Sequence, residues 1–342
     1  MVDDERHPAW PDDGAPHDGN RADGDPNDGG AARLAAAADR FCNWGRWGPD
    51  DEIGTMNFIS PEMVVAASRL VRRGTVFSLA IDFGPSGPQT GFLRRFNPMT
   101  FMLRDGNDAF ARARPGVPRG IGAADDVLLL PTQGATQWDS LAHIFYDGRM
   151  WNGYDCRLVS SLGAERNDIA GYRNRIVGRA VLLDVPRHLG VAWCEPGFPI
   201  GGDLLDAVAA AEGIDVGTGD IVLVRTGQLA ACRAAGAWGD YAGGDAPGLD
   251  FDSLAWVFER EIAAVATDTY GAEVRPSEIT YANQPWHRVA IPRIGLCVGE
   301  IFDLEALAVD CARNGIYEMF MSANPLPVPG SVGGPINPTA IK

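Results

Sequence analysis

Lysine is almost missing from this 342-residue chain: Lys342 is the only one, and arginine supplies the other 28 of the 29 basic residues. Without an interior lysine amine there is no Walker A loop, no Schiff-base lysine and no Ser–Lys dyad. Histidine is nearly as scarce. Of His7, His17, His143, His188 and His287, the first two fall in a polar leading segment, so three imidazoles remain for acid–base work or metal ligation. The six cysteines form no CxxC pair and are scattered through apolar or helical contexts, which predicts free thiols in a reducing compartment. No apolar run approaches the roughly 18 residues of a membrane span. The leading residues also lack the basic and apolar regions of a signal peptide, so the expected location is cytoplasmic. The 45 acidic residues outnumber the basic ones and give a formal charge of −16, which argues against nucleic acid or an anionic membrane as partner and leaves a small molecule.

The acid is concentrated at one end. Residues 1–30 hold nine acids against two bases and almost no large apolar side chain. Residues 1–32 are therefore expected to be a disordered acidic tail, with one domain over 33–342. Apolar, β-branched runs at 75–83, 99–104, 126–130, 180–185, 220–225 and 263–267 predict strands. Helices are predicted over 33–42, 202–213, 228–236, 252–260 and 303–314. Ser60-Pro61-Glu62 should open another that runs to Val71, with serine as N-cap and proline in the first turn. Asp303 and Asn314-Gly315 supply start and stop signals for the last helix. The mixture is α/β, but no GxGxxG follows a strand, so a dinucleotide fold is poorly supported. Residues 323–341 are rich in proline and glycine and should be neither helix nor central strand. Leu326, Val328, Val332 and Ile336 favour a packed loop there over a loose tail.

Two segments carry candidate chemistry. In PTQGATQWDSLAHIFYDG (131–148), Gln133, Gln137 and Asp139 share parity, so they fit one face of an extended segment or successive turns of an irregular helix. Asp139 and His143 can meet if the intervening residues are helical, giving a carboxylate that orients an imidazole. The competing reading is a helix cap and a satisfied core histidine, and spacing does not decide between them. In QPWHRVAIPRIGLCVGEIFDLEAL (284–307), His287 precedes an apolar run expected to be a strand, with Glu300 at its far end. The two converge only if the chain turns near Pro292 or Gly295. His188 sits in a turn context and reads as structural. Trp138, Phe145, Tyr146, Trp151 and Trp286 flank both segments and suit either a flat apolar substrate or core packing. Arg94 and Arg95 are candidates for holding a substrate carboxylate.

Several separated motifs, in order, carry a resemblance: NWGRWGPDDEIGTMNFISPE, GATQWDSLAHIFYDGRMWNG, GRAVLLDVPRH, GDIVLVRTG, DTYGAE and HRVAIPRIGLCVGEIFDLEALAVDCA. From about residue 41 to the end the chain resembles the cyclase family related to bacterial kynurenine formamidase and isatin hydrolase. The resemblance implies a swivelling β/β/α single domain with a mixed sheet and flanking helices, hydrolysis of an amide, lactam or lactone, and assembly as a homo-oligomer. The family signature HxGTHxDxPxH falls on Gln133, Thr136, Gln137, Asp139, Leu141 and His143. It retains the metal-binding aspartate and the acid–base histidine, and puts glutamine at both metal-binding histidines. The later family His and acidic ligand match His287 and Glu300. The resemblance thus implies His143 and Asp139 in catalysis, and Asp139, His287 and Glu300, with Gln133 and Gln137, around a divalent metal such as Mn or Zn. A glutamine amide is a weak ligand beside imidazole, so a metal-free site is left open. In that case Gln133, Gln137 and Thr136 would serve a developing oxyanion. Thr136, Trp138, Tyr146, Trp286 and Arg94 are the expected substrate contacts. A hydrolase leads, with a metal-free cyclase, dehydratase or isomerase and a non-catalytic small-molecule binder as alternatives.

Overall fold

A computed structural model of the chain describes residues 29–110 and 122–342. The acidic segment expected to be disordered lies outside the described residues up to position 28. Nine strands form one mixed sheet: β1 (Val76–Ser78), β2 (Gln137–Asp139), β3 (Val177–Asp184), β4 (Ile221–Arg225), β5 (Ala264–Thr267), β6 (Cys297–Glu300), β7 (Glu318–Ser322), β8 (Gly333–Pro335) and β9 (Thr339–Ile341). Across the sheet they run β1, β9, β7, β3, β4, β5, β6, β2, β8. The central run from β3 to β6 is parallel; every other neighbouring pair is antiparallel.

The parallel centre coincides with the apolar runs picked out at 180–185, 220–225 and 263–267. Ile221–Arg225 is buried along its whole length, as a central parallel strand covered on both faces has to be. Helices Gly202–Glu212, Gln228–Ala235, Ser253–Glu259 and Glu305–Asn314 follow the predicted segments closely. The Ser60 hydroxyl accepts from the Met63 amide at 3.3 Å and opens Pro61–Ser68. In the last helix Leu304 takes the N-cap position. Asp303 still accepts from the Glu305 amide at 3.3 Å, and Gly315 closes the helix in the left-handed region at φ 68°.

Three expectations are corrected, and two of the predicted strands form away from the main sheet. The run 75–83 contributes only the three residues of β1. Met99–Arg104 and the run near 126–130 pair with each other as a separate two-stranded ribbon, outside the main sheet. Both faces of that ribbon leave apolar side chains exposed, among them Phe101, Leu103 and Leu128. The proline- and glycine-rich C-terminal segment is packed, yet it also enters the sheet. β8 lies at the edge, where proline is tolerated because no further strand needs its N–H. β9 sits between β1 and β7, an interior place, and Pro338 stops just short of it. Finally, His287 does not precede a strand. Pro285–Val289 is a short helix with proline in its first turn, Ala290–Ile294 is a π turn ended by left-handed Gly295, and β6 begins only at Cys297.

Candidate active site and metal centre

The junction of β6 with β2 positions the candidate chemistry. Their antiparallel register sets Glu300 opposite Gln137 and Gly299 opposite Trp138. Alternation along β2 then puts Gln137 and Asp139 on the Glu300 face and turns Trp138 to the other side. That register demands a glycine at 299, because a Cβ there would stand 2.5 Å from the Trp138 ring. His287 arrives from the short helix. Asp139, His287 and Glu300 each offer one ligand atom, all within 4.8 Å of one another, and all three residues are buried.

His287 is fixed by Glu273, the last residue of the DTYGAE segment, to which the sequence alone assigns no role. Its Nδ1 lies 2.5 Å from Glu273 Oε1, and Glu273 also accepts from the backbone amides of Trp286 (3.1 Å) and His287 (3.3 Å). A donated Nδ1–H leaves the Nε2 lone pair facing Glu300 Oε1 at 3.4 Å. Gln137 Nε2 donates to Glu300 Oε2 at 2.9 Å and steadies that carboxylate. Three buried atoms here lack a hydrogen-bond partner: Gln137 Oε1, Asp139 Oδ1 and His287 Nε2. Buried lone pairs without partners are costly. An imidazole nitrogen and two carboxylates that converge in this way fit a divalent cation of the Mn or Zn kind.

The electrostatics agree. Burial, reinforced by the Glu300 charge, raises Asp139 well above the ordinary carboxylate value. Burial alone would lower His287, but its hydrogen bond to Glu273, the close approach of Glu300 and the charges of both outweigh it and raise the imidazole to about 10. Glu300 is lowered: burial opposes this, and the His287 hydrogen bond and charge overcome it. With no cation supplied, the cluster holds a proton where positive charge is needed.

His143 faces the cluster from a turn, with no helix between it and Asp139; its amide donates to Ser140 O at 3.1 Å. The expected Asp139–His143 pairing is loose: His143 Nε2 is 3.7 Å from Asp139 Oδ1, beyond hydrogen-bond length. Gln133 holds the ring instead, with its Nε2 3.3 Å from His143 Nδ1 and its Oε1 accepting from Thr132 Oγ1 at 3.0 Å. Either end of an amide can face the ring, so Gln133 can satisfy both imidazole tautomers. Burial, with the Arg95 charge, lowers His143 to about 4, so its ring is neutral at pH 7.

Several expected contacts belong elsewhere. Gln133 is hydrogen-bonded to His143 and Thr132. Thr136 is saturated: its hydroxyl donates to Ile301 O at 2.6 Å and accepts from the Ile81 amide at 2.9 Å. Trp138 and Trp286 are core residues, with indole N–H groups donating to Ala323 O and Ser253 Oγ. Tyr146 packs under Arg293. Arg94 is exposed, and its neighbour Arg95 takes the place expected for it, donating to Tyr270 OH at 2.9 Å. His188 ends a short helix at the surface. Beside Glu273, the residues given no role by the sequence are Tyr270, which lies inside the DTYGAE segment, and Arg275, two positions beyond it. All six cysteines are free.

Comparison with known proteins identifies the family. The model of the family "Putative cyclase" matches residues 51–274. The chain belongs to the cyclase family. A crystal structure of a novel cyclase is 34% identical, with a TM-score of 0.80 over 89% of this chain and 99% of that one. An isatin hydrolase bound to the product analogue thioisatinate is 16% identical, with a TM-score of 0.55 over 82% and 98% of the two chains. Isatin hydrolase A from Ralstonia solanacearum is 17% identical, with a TM-score of 0.56 over 82% and 97%. At those identities the two hydrolases show a shared fold with this cyclase-family chain and no more. No curated protein matches it. Among the described residues no helix is long and apolar enough to cross a membrane.

Proposed function

We propose that this cyclase-family chain is a hydrolase that opens an amide, lactam or lactone bond in a small cyclic or aromatic substrate, with a divalent cation held by Asp139, His287 and Glu300. The observation that carries the reading is the convergence of these three donors within 4.8 Å, with His287 locked by Glu273 so that Nε2 faces inward. A divalent ion there supplies Lewis acidity, polarising the scissile carbonyl and lowering the pKa of water toward about 7.

The protein's own groups do the rest. His143, neutral at pH 7, accepts a proton from the attacking water as the water oxygen bonds to the carbonyl carbon. It then returns that proton to the departing nitrogen or oxygen as the C–N or C–O bond breaks, leaving a carboxylic acid and an amine or alcohol. The lowered pKa of His143 suits the second half of this cycle, because an imidazolium near 4 is a strong donor to a leaving group. Gln133 keeps the ring in place through both protonation states, and Gln137 keeps Glu300 turned into the cluster.

A metal-free reaction is the second reading. It is favoured by the protonated His287 bridging Glu273 and Glu300, which balances the buried charge without a cation. Metal analysis of purified protein, combined with a hydrolysis screen of N-formyl aromatic amines, cyclic imides and lactones, separates the two. Stoichiometric Mn or Zn with turnover abolished by chelation supports the hydrolase with a metal; turnover unchanged by rigorous chelation removes it. No hydrolysis anywhere in the screen counts against the hydrolase itself.

A further inference from the structure

The run that supplies Glu273 behind His287 also supplies a guanidinium with two N–H groups that no hydrogen-bond acceptor meets, although the Glu300 and Glu273 charges act on it. Residues 273–275 are extended, with Glu273 bridged to Leu249 and Arg275 to Ala246. The alternation of an extended chain puts the side chains of Glu273 and Arg275 on one face, with Val274 turned into the core. Arg275 Nε and Nη2 are buried, and neither a carboxylate nor a carbonyl accepts from them among the described residues. A second guanidinium approaches the same tyrosine. The Cζ of Arg275 lies 5.6 Å from the Tyr270 ring centre and that of Arg95 lies 5.5 Å from it, with Arg95 also donating to the Tyr270 hydroxyl. Arg95 Nη1 is 3.5 Å from Gln133 O, next to the amide that holds His143. Left-handed Gly271 lies beside this guanidinium: a Cβ there would be in ordinary contact with Gln284 Nε2 at 3.7 Å and Arg275 Nη1 at 4.0 Å.

Buried guanidinium N–H groups without an acceptor are costly to keep, and the fork of donors matches a carboxylate.

We infer that Arg275 and Arg95, set on Tyr270, form a carboxylate subsite beside the Asp139, His287 and Glu300 cluster, so that the substrate is an acid: an amide, lactam or lactone bearing a carboxylate away from the bond that is cut. This rests on the hydrolase reading for the reaction, and only the subsite is new. Arg275 binds and orients; it takes no part in moving protons.

Titration calorimetry of the full chain with benzoate and with benzamide, each with Mn²⁺ and after chelation, tests the subsite without requiring turnover. Benzoate should bind at least about tenfold more tightly than benzamide in both states. Arg275→Gln should lose that preference, Arg95→Gln should weaken it, and Arg275→Lys should keep part of it by retaining the charge without the fork. If Arg275→Gln fails to fold, Arg275→Lys and Arg95→Gln carry the test. Equal affinity for benzoate and benzamide, a preference for benzoate that vanishes on chelation, or variants that bind benzoate as the parent does, would each overturn the assignment. A protein that prefers benzoate through Arg275 but hydrolyses nothing keeps the subsite and loses the reaction. One that hydrolyses neutral substrates and ignores benzoate does the reverse.

Discussion

His287 and Glu273 are joined by a hydrogen bond of 2.5 Å from Nδ1 to Oε1, and this contact decides which ring nitrogen faces Asp139 and Glu300. A carboxylate behind a ligating imidazole fixes the tautomer and raises ligand basicity. Glu273→Gln removes the charge and keeps one acceptor oxygen for His287, at the cost of the second oxygen, which accepts from the Trp286 amide. Mn²⁺ or Zn²⁺ affinity, measured by calorimetry, should fall about 10–100-fold with little change in the circular dichroism spectrum. Unchanged affinity would show that Glu273 serves only to cap the short helix.

Metal uptake should expel protons. In the cation-free site His287 is held protonated up to about 10 and Asp139 is raised well above its ordinary value. A cation needs both groups deprotonated. Calorimetric titrations with Mn²⁺ at pH 7.5, repeated in buffers of different ionisation enthalpy, should return one or more protons released per ion bound. Apparent affinity should rise with pH through the range below 10.

His143 sets the acid limb of the activity profile. Its pKa is lowered to about 4, so the neutral, proton-accepting form persists well below the 6.5 of an ordinary histidine. The plot of kcat/KM against pH, on metal-saturated enzyme, should stay flat through pH 6 and drop only as it nears 4. His143→Ala should reduce kcat about 10²- to 10⁴-fold. Gln133→Leu should lower kcat less and shift the acid limb, because it removes the group that holds the ring.

The parts of this arrangement differ in how far they could be read from the sequence. Val177–Asp184, Ile221–Arg225 and Ala264–Thr267 were legible because central parallel strands are continuous apolar runs, and helix ends such as Ser60-Pro61 were legible from their caps. β8 and β9 were not, since three-residue strands, Gly-Gly-Pro and Thr-Ala-Ile, carry no periodic signal. Asp139, His143, His287 and Glu300 stood out through family resemblance, while their geometry did not: His287 reaches the site from a helix opened by Pro285, where its neighbours suggest a strand. Trp138 and Trp286 look like substrate contacts in a linear reading. The pleat of β2 and the buried face of the short helix turn both into the core. Glu273 and Arg275 act through contacts made in three dimensions, and no spacing rule links them to β2.

Away from the site, Glu212 gives the fold a pH dependence of its own. Its Oε1 accepts from the Asp184 amide at 3.0 Å while Oε2 is buried without a partner, and burial raises the carboxyl to about 8. The folded state therefore binds a proton that the unfolded chain releases near 4.5. This group's contribution to stability is whole below that value and is lost as pH rises through about 8. Thermal unfolding of the parent and of Glu212→Gln should show the variant gaining relative stability from pH 5 to pH 9; a constant difference would contradict the raised pKa.

The central claim is a cation held by Asp139, His287 and Glu300, and anomalous diffraction from crystals grown with Mn²⁺ or Zn²⁺ tests it most directly. A single strong peak should be bonded to His287 Nε2 and to one oxygen from each of Asp139 and Glu300, and it should disappear in Asp139→Asn. A peak bound by other residues, or no peak at saturating metal with His287 still bridging Glu273 and Glu300, would contradict it.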